Sequence, residues 1–181
     1  MTGDFSVRPK PQNNNAKILM WAGYIIGFVS AFASCFAGNA SRYTIIIAAV
    51  GFILGLVVHT KYVAVELYYD VITDGVEEPV FVVRYKTGKR VTTMCNISLA
   101  DVVSVTAETA SERKAHKKER DVGLYNFAPT LFPEKTYRMC VRSLNGKNDL
   151  ILEGSEEYFQ KIMEIVGEAK TLRIEQESRE Y

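Results

Sequence analysis

The side chains able to do chemistry are few and scattered. Histidine occurs only at positions 59 and 116, and cysteine only at 35, 95 and 140. The sequence has no His-Glu-x-x-His, no zinc-like Cys/His spacing, no Gly-x-Ser-x-Gly elbow and no phosphate-binding glycine loop. Thr87-Gly88-Lys89-Arg90 shares Gly-Lys with the end of a Walker loop. It lacks the upstream glycine and the Ser or Thr after Lys, and therefore reads as a hairpin turn. The acidic pairs Glu77 with Glu78, Glu112 with Glu119 and Glu156 with Glu157 are neighbours on turns or helix starts, and they do not converge on a substrate. No catalytic residue, metal site, cofactor or small-molecule substrate is expected.

Charge is the chemistry that remains. Residues Glu112 to Asp121 hold five cations, three anions and one histidine. Such a run is either a solvated loop or a moderately basic patch, worth up to about 1 kcal/mol per cation against anionic headgroups. Beyond it, Tyr125, Phe127, Pro129, Leu131, Phe132 and Pro133 make a rigid, aromatic-rich connection. Its rings fold over the domain or stay exposed as a docking site. The candidate contacts for a partner or for lipid are Arg113, Lys114, Lys117, Lys118, Arg120, Tyr125, Phe127 and Phe132.

What must position these residues begins with two uncharged runs. Ile18 to Ser41 contains no Asp, Glu, Lys or Arg and is long enough to cross a bilayer core, which takes about 20 residues. Tyr43 to Thr60 is equally free of charge, and its 18 residues reach roughly 27 Å, slightly short of a core about 30 Å thick. Only Gly38 to Arg42 lie between them, so residues 18–60 read as an antiparallel transmembrane hairpin. A cleaved signal peptide is the rival reading, since Arg8, Lys10 and Lys17 precede Ala31-Phe32-Ala33. The apolar run continues past Ala33, however, and a second one follows at once. Arg8, Lys10, Lys17 and Lys61 against Arg42 alone put both ends in the cytoplasm under the positive-inside rule. Of the two Asn-x-Ser patterns, Asn39 lies against the membrane and Asn96 would be cytoplasmic, so neither is read as modified. Gly23, Gly27 and Ala31, with Gly51 and Gly55, recur at four-residue spacing, which lets helix backbones approach closely. They pack the hairpin against itself, or serve self-association or docking on another membrane protein. Two short spans with no buried charge offer no transport pathway.

Composition bounds the remainder. Residues 61–181 carry 18 Lys plus Arg against 20 Asp plus Glu, a net of −2, which disfavours nucleic acid as a partner. Three cysteines without Cys-x-x-Cys spacing fit a reducing compartment. Residues 1–17, polar and proline-bearing, read as a disordered tail, and 171–181 as a polar tail.

Residues 61–170 read as a β domain. Val63, Val65, Leu67, Tyr69 and Val71 alternate up to the turn signal Asp74-Gly75. Val80 to Lys86 and Lys89 to Ile97 form a hairpin about Thr87-Gly88. Asp101 to Thr106, Gly123 to Phe127, Thr136 to Leu144 and Asp149 to Glu153 complete seven strands, the last two joined at Asn145-Gly146. A helix follows, with Ser155 as N-cap, Glu156 and Glu157 in its first turn, and a stripe of Phe159, Ile162, Met163, Val166 and Ala169.

Two transmembrane helices, then Val65-Glu66-Leu67-Tyr68-Tyr69-Asp70-Val71-Ile72-Thr73-Asp74-Gly75, then Ile97-Ser98-Leu99-Ala100-Asp101-Val102-Val103-Ser104-Val105, resemble bacterial membrane proteins with a pleckstrin-homology-like (PH-like) domain. The resemblance covers about residues 18–170. It implies an α+β chain in which a transmembrane helix hairpin precedes a seven-stranded antiparallel barrel or sandwich capped by the C-terminal helix. It also implies a domain that binds lipids, peptides or proteins rather than one that catalyses. Phosphoinositide-binding members use basic residues at the first hairpin, where this chain has the acidic loop Asp74 to Pro79. The expected role is thus a non-enzymatic, membrane-anchored interaction module, an accessory or scaffold subunit partnered by membrane lipid and by another membrane protein or itself. An anionic-lipid sensor is the alternative, and a membrane enzyme ranks last.

Overall fold

A computed structural model of the protein describes residues 4–73, 78–116, 122–143 and 146–179. The chain divides into two units, one of Asn13–Val65 with Thr130–Phe132, the other of Met1–Gln12, Glu66–Pro129 and Pro133–Tyr181.

The first unit is an antiparallel helix pair. Helix α1 spans Asn15–Ser34 and α2 spans Ser41–Val58, joined through a 3-10 turn at Gly38–Ala40. Gly38 takes a left-handed φ of 51°, which suits glycine because a Cβ would crowd the backbone there. Beyond Val58 the helix continues as a π turn, His59–Val63, so the helical segment Ser41–Val63 has 23 residues, with Arg42 and Lys61 near its ends. That is roughly 34 Å of helix, with its uncharged part still Tyr43–Thr60. Both helices are long and apolar enough to cross a membrane. A Cβ on Gly23 would lie 2.9 Å from the Gly51 carbonyl oxygen, and one on Gly51 would lie 2.8 Å from that of Gly23. The two backbones therefore touch at these glycines. Tyr24 fills the space over Gly55, Phe52 that over Gly27, and Ala31 is half-buried farther along. At the end bearing the chain ends, Ala16, Met20 and Val58 form a small buried cluster against which Leu131 packs.

The second unit contains two four-stranded sheets. The first has the order β1 (Phe5–Val7), β2 (Val65–Ile72), β3 (Val80–Thr87), β4 (Arg90–Ser98). The second has the order β5 (Val102–Thr109), β7 (Lys135–Ser143), β8 (Gly146–Leu152), β6 (Val122–Asn126). Tyr69, Val71, Phe81 and Val83 face Met139, Leu150 and Leu152 across a core closed by Phe159 and Ile162 of helix α4 (Glu156–Arg179). Burying either of these helix side chains is worth about 1.5–3 kcal/mol, so the apolar stripe, more than helix propensity, holds α4 in place. Ser155 caps α4 by accepting from the Tyr158 N–H.

Several sequence expectations are corrected. Phe5–Val7, placed in a disordered tail, is a strand pairing with β2 from Phe5↔Val71 to Val7↔Tyr69, and Phe5 stacks edge-on against Tyr158. Among the described residues the unit thus has eight strands in two open sheets, rather than the seven expected of a barrel or sandwich, and the sheets do not close into a barrel. It is not wholly antiparallel, because β6 runs parallel to β8. The charged stretch read as a loop begins with helix α3 (Ala110–His116), and the polar tail from 171 continues α4 to Arg179. The turn signals Asp74-Gly75 and Asn145, and most of the acidic loop after the first strand, lie outside the described residues.

Candidate functional site

The two sheets of the β unit part on one side and leave a cleft of about 380 Å³ between β4 and the edge made by β6, β8 and β7. Its lining combines Met94 to Ser98, Asp101, Tyr125, Phe127, Val141 to Ser143, Asn148 and Leu150. Cys95 and Ile97 lie on the inward face of β4, since their register partners Val83 and Phe81 are fully buried in the core. Val141 and Leu150 contribute the inward face of the second sheet.

Each wall is fixed by identifiable bonds. The Tyr69 hydroxyl donates to the Phe127 carbonyl at 2.8 Å and accepts from the Glu153 N–H at 3.3 Å, while the Phe127 N–H donates to the Ile151 carbonyl at 2.9 Å. Burial pushes the Tyr69 phenol well above its ordinary value, so the hydroxyl stays a donor. Asn126 accepts from the Ala128 N–H in an Asx turn that carries the chain out of β6. On the other wall, Arg173 of α4 reaches Glu78 at 2.6 Å and Asp101 at 2.7 Å, and the Ser98 hydroxyl donates to Glu78 at 2.5 Å. The Arg173 guanidinium, with the Ser98 hydroxyl, holds the Glu78 carboxyl at about 2, below the usual carboxylate range. This clamp ties the end of β4 to α4 and occupies the charge of Asp101.

Desolvation raises the Cys95 thiol, so the side chain is a small neutral lining group rather than a thiolate nucleophile. Desolvation also raises the Cys140 thiol, with a further push from Asp149. Asp149 is itself held by Arg138, which reaches Glu108 as well, in a buried ionic cluster apart from the cleft lining. Among the described residues no group of three His, Cys, Asp or Glu is placed to hold a metal ion. The cleft offers apolar surface, neutral polar groups and one outlying cation, Arg142. Such a lining can bind, and the hydroxyl in it that meets a carboxylate, Ser98, is paired with a Glu78 that Arg173 makes a weak base.

The structure separates the sequence candidates. Tyr125, about half exposed, and Phe127 line the cleft. Phe132 is exposed but lies in the segment Thr130–Phe132, which groups with the helices. Arg113 is turned inward and donates to the Pro133 carbonyl at 2.6 Å, which makes it a strut. Lys114 is exposed, whereas Lys117, Lys118 and Arg120 lie outside the described residues. Gly23, Gly27, Gly51 and Gly55 come together in the helix interface, with Ala31 beside it. Sequence reasoning missed Cys95, Asn96, Arg142 and Asn148, which meet only when the two sheets assemble. Comparison with protein-family models, curated proteins and solved structures finds no match to the chain.

Proposed function

We propose that the protein is a non-enzymatic, membrane-anchored interaction module. The observation that carries the anchor is the outer surface of the helix pair. Seventeen large apolar side chains there are exposed, from Ile18 and Trp21 round to Leu56 and Val57, while the glycine faces are consumed inside the pair. Apolar surface on that scale needs lipid or protein to cover it. The hairpin crosses the bilayer with both ends cytoplasmic, as Arg8, Lys10, Lys17 and Lys61 favour.

The β unit is the working part, an accessory or scaffold module of PH-like character. Two packed sheets followed by a C-terminal helix against the core support that likeness, whereas the parallel β6 and the added β1 depart from it. Its open cleft, where burial keeps the Cys95 thiol neutral and Arg173 makes Glu78 a weak base for Ser98, favours interaction over catalysis. Arg113 is spent on Pro133, which removes one cation from the lipid-sensing alternative.

Three measurements test the reading. Under alkaline extraction the chain stays in the membrane pellet, and its release into the supernatant would refute the anchor. In intact cells an impermeant maleimide labels the exposed Cys35, and in a Cys35→Ser background it fails to label Ser178→Cys. Labelling at 178 without lysis would reverse the orientation. Crosslinking in the native membrane followed by mass spectrometry finds a stoichiometric partner, and recovery of the chain alone would overturn the accessory role.

A further inference from the structure

Taking the β unit as an interaction module, we infer that its cleft receives a single extended segment of a partner protein, which adds to the free edge of β4 and carries a carboxylate for Arg142.

The hydrogen-bond phase of β4 shows which groups are on offer. The Leu99 N–H donates to the Pro79 carbonyl at 2.9 Å, just beyond the register pair Val80↔Ser98. In an antiparallel ladder bonded and non-bonded pairs alternate, so Phe81/Ile97 and Val83/Cys95 exchange bonds while Val80/Ser98 and Val82/Asn96 do not. Both backbone groups of Asn96 and the N–H of Ser98 therefore point away from β3, along the cleft side, while the Ser98 carbonyl opens the 3-10 turn Leu99–Asp101. Beyond the bulge between Val83 and Arg84, the two-residue turn Gly88-Lys89 sets the same alternation and turns the backbone of Thr93 outward. Among the described residues no backbone bond of a turn, loop or cap takes up these outward groups.

The edge is also undefended. From Val91 to Ser98 it has eight residues with neither charge nor proline, whereas exposed edges are usually blunted by Lys, Pro or a covering loop. The bulge is its one such device. An added strand would send alternate side chains inward onto Ile97, Val141, Leu150 and Phe127, the arrangement by which strand addition gains specificity.

Charge and shape narrow the occupant. Of the two charged residues in the cleft, Asp101 is held by Arg173, while Arg142 is exposed and makes no ion pair among the described residues. A carboxylate on the incoming strand meets that cation, and a lysine there would be repelled. A second copy of this chain fits less well, because its β4 brings its own β3 about 4.8 Å behind it. Tyr125, Arg142 and Asn148 stand on that side. An acyl chain could occupy the apolar floor but would leave the outward amides unbonded.

The test uses the full-length protein in lipid nanodiscs and a phage-displayed library of random decapeptides. Enriched sequences should alternate apolar residues with Asp or Glu. A synthetic peptide of the leading sequence should slow amide exchange at Asn96 and Ser98 at least tenfold, and leave the already bonded Cys95 and Ile97 unchanged. Arg142→Glu should weaken that peptide at least tenfold, and exchanging its acid for lysine should restore binding to the variant. Asn96→Pro should abolish binding while keeping the native ladder, because the N–H it removes points outward. Failure to enrich any sequence, enrichment without an acid, or protection elsewhere would overturn the inference. So would slowing of the same amides with rising protein concentration and no peptide, which would indicate a second copy. Alkaline extraction of the same preparation judges the membrane anchor separately, so either idea can fail alone.

Discussion

Replacing Tyr69 by Phe removes one oxygen atom from the centre of the β unit. The side chain is fully buried, and its hydroxyl donates to the Phe127 carbonyl at 2.8 Å while accepting from the Glu153 N–H at 3.3 Å. A net intramolecular hydrogen bond is worth about 1 kcal/mol, and a buried group left unsatisfied costs about 1–3 kcal/mol. With one short and one long bond, the expected loss is about 2 kcal/mol. For a unit of this size each kcal/mol shifts the melting temperature by about 4 °C, so the variant should melt about 8 °C lower. Tyr158→Phe supplies the scale, because that hydroxyl makes one bond, to the Tyr69 carbonyl at 3.2 Å, and its loss should cost about 1 kcal/mol. Thermal unfolding of the full-length protein, followed by far-ultraviolet circular dichroism, measures both. Because burial raises the Tyr69 phenol, the difference should not change between neutral and mildly alkaline pH. Freed Phe127 should also speed the reaction of Cys95 with a small maleimide. A Tyr69→Phe variant within about 0.5 kcal/mol of wild type, or no less stable than Tyr158→Phe, would refute the reasoning.

The Arg173 clamp makes stability depend on acid. Glu78 is held at about 2 against an ordinary 4.5, so its contribution is complete above pH 4.5 and disappears as pH falls toward 2. Its side chain is about a quarter exposed, which discounts the contribution to about 1 kcal/mol. The gap in urea midpoint between wild type and Arg173→Met should therefore close over that window. Arg138→Met leaves Asp149 and Glu108 buried beside a neutral side chain, and should cost about 3–5 kcal/mol in the same assay. Gly51→Val drives a Cβ against the Gly23 carbonyl and should lower the melting temperature of the helix pair in detergent. Gly167→Ala faces open space inside α4 and should instead stabilise by about 0.5–1 kcal/mol. Equal effects from these two glycine changes would mean that the helices do not pack at Gly51.

The helix pair was legible because absence of charge is a local property, readable at each residue of Ile18–Ser41 and Tyr43–Thr60. The strands β2 to β5 were legible for a similar reason, since their alternation and turn residues lie within a few positions of one another. β1 was not, because Phe5-Ser6-Val7 is too short to show a period and gains its partner only from β2, more than sixty residues later. The parallel seating of β6 on β8 leaves no local mark either, since period-two alternation is the same for both directions. Polar composition hid the last turns of α4, although Arg173 finds its role there, reaching Glu78 and Asp101. In the cleft, Tyr125 and Phe127 could be picked out as aromatics, but Cys95, Arg142 and Asn148 come from three strands of two sheets. Their juxtaposition is a property of the assembled sandwich. Arg113 shows the opposite error, a cation counted as surface whose guanidinium the fold spends on the Pro133 carbonyl.

The pairing of β1 with β2 also orders events during synthesis. Phe5 leaves the ribosome long before its partner Val71, and both helices lie between them. Left as flexible chain, those residues would impose an entropy cost on joining the two strands. The helix pair removes much of that cost, because Ala16 and Val58 already meet at its open end. The first rung of the sheet can thus form only after the second helix has been made, and forms more readily once that helix has folded back on the first. A nascent chain whose hairpin fails to close would emerge with β1 unpaired, and β2 would be left as a raw edge for quality control to recognise.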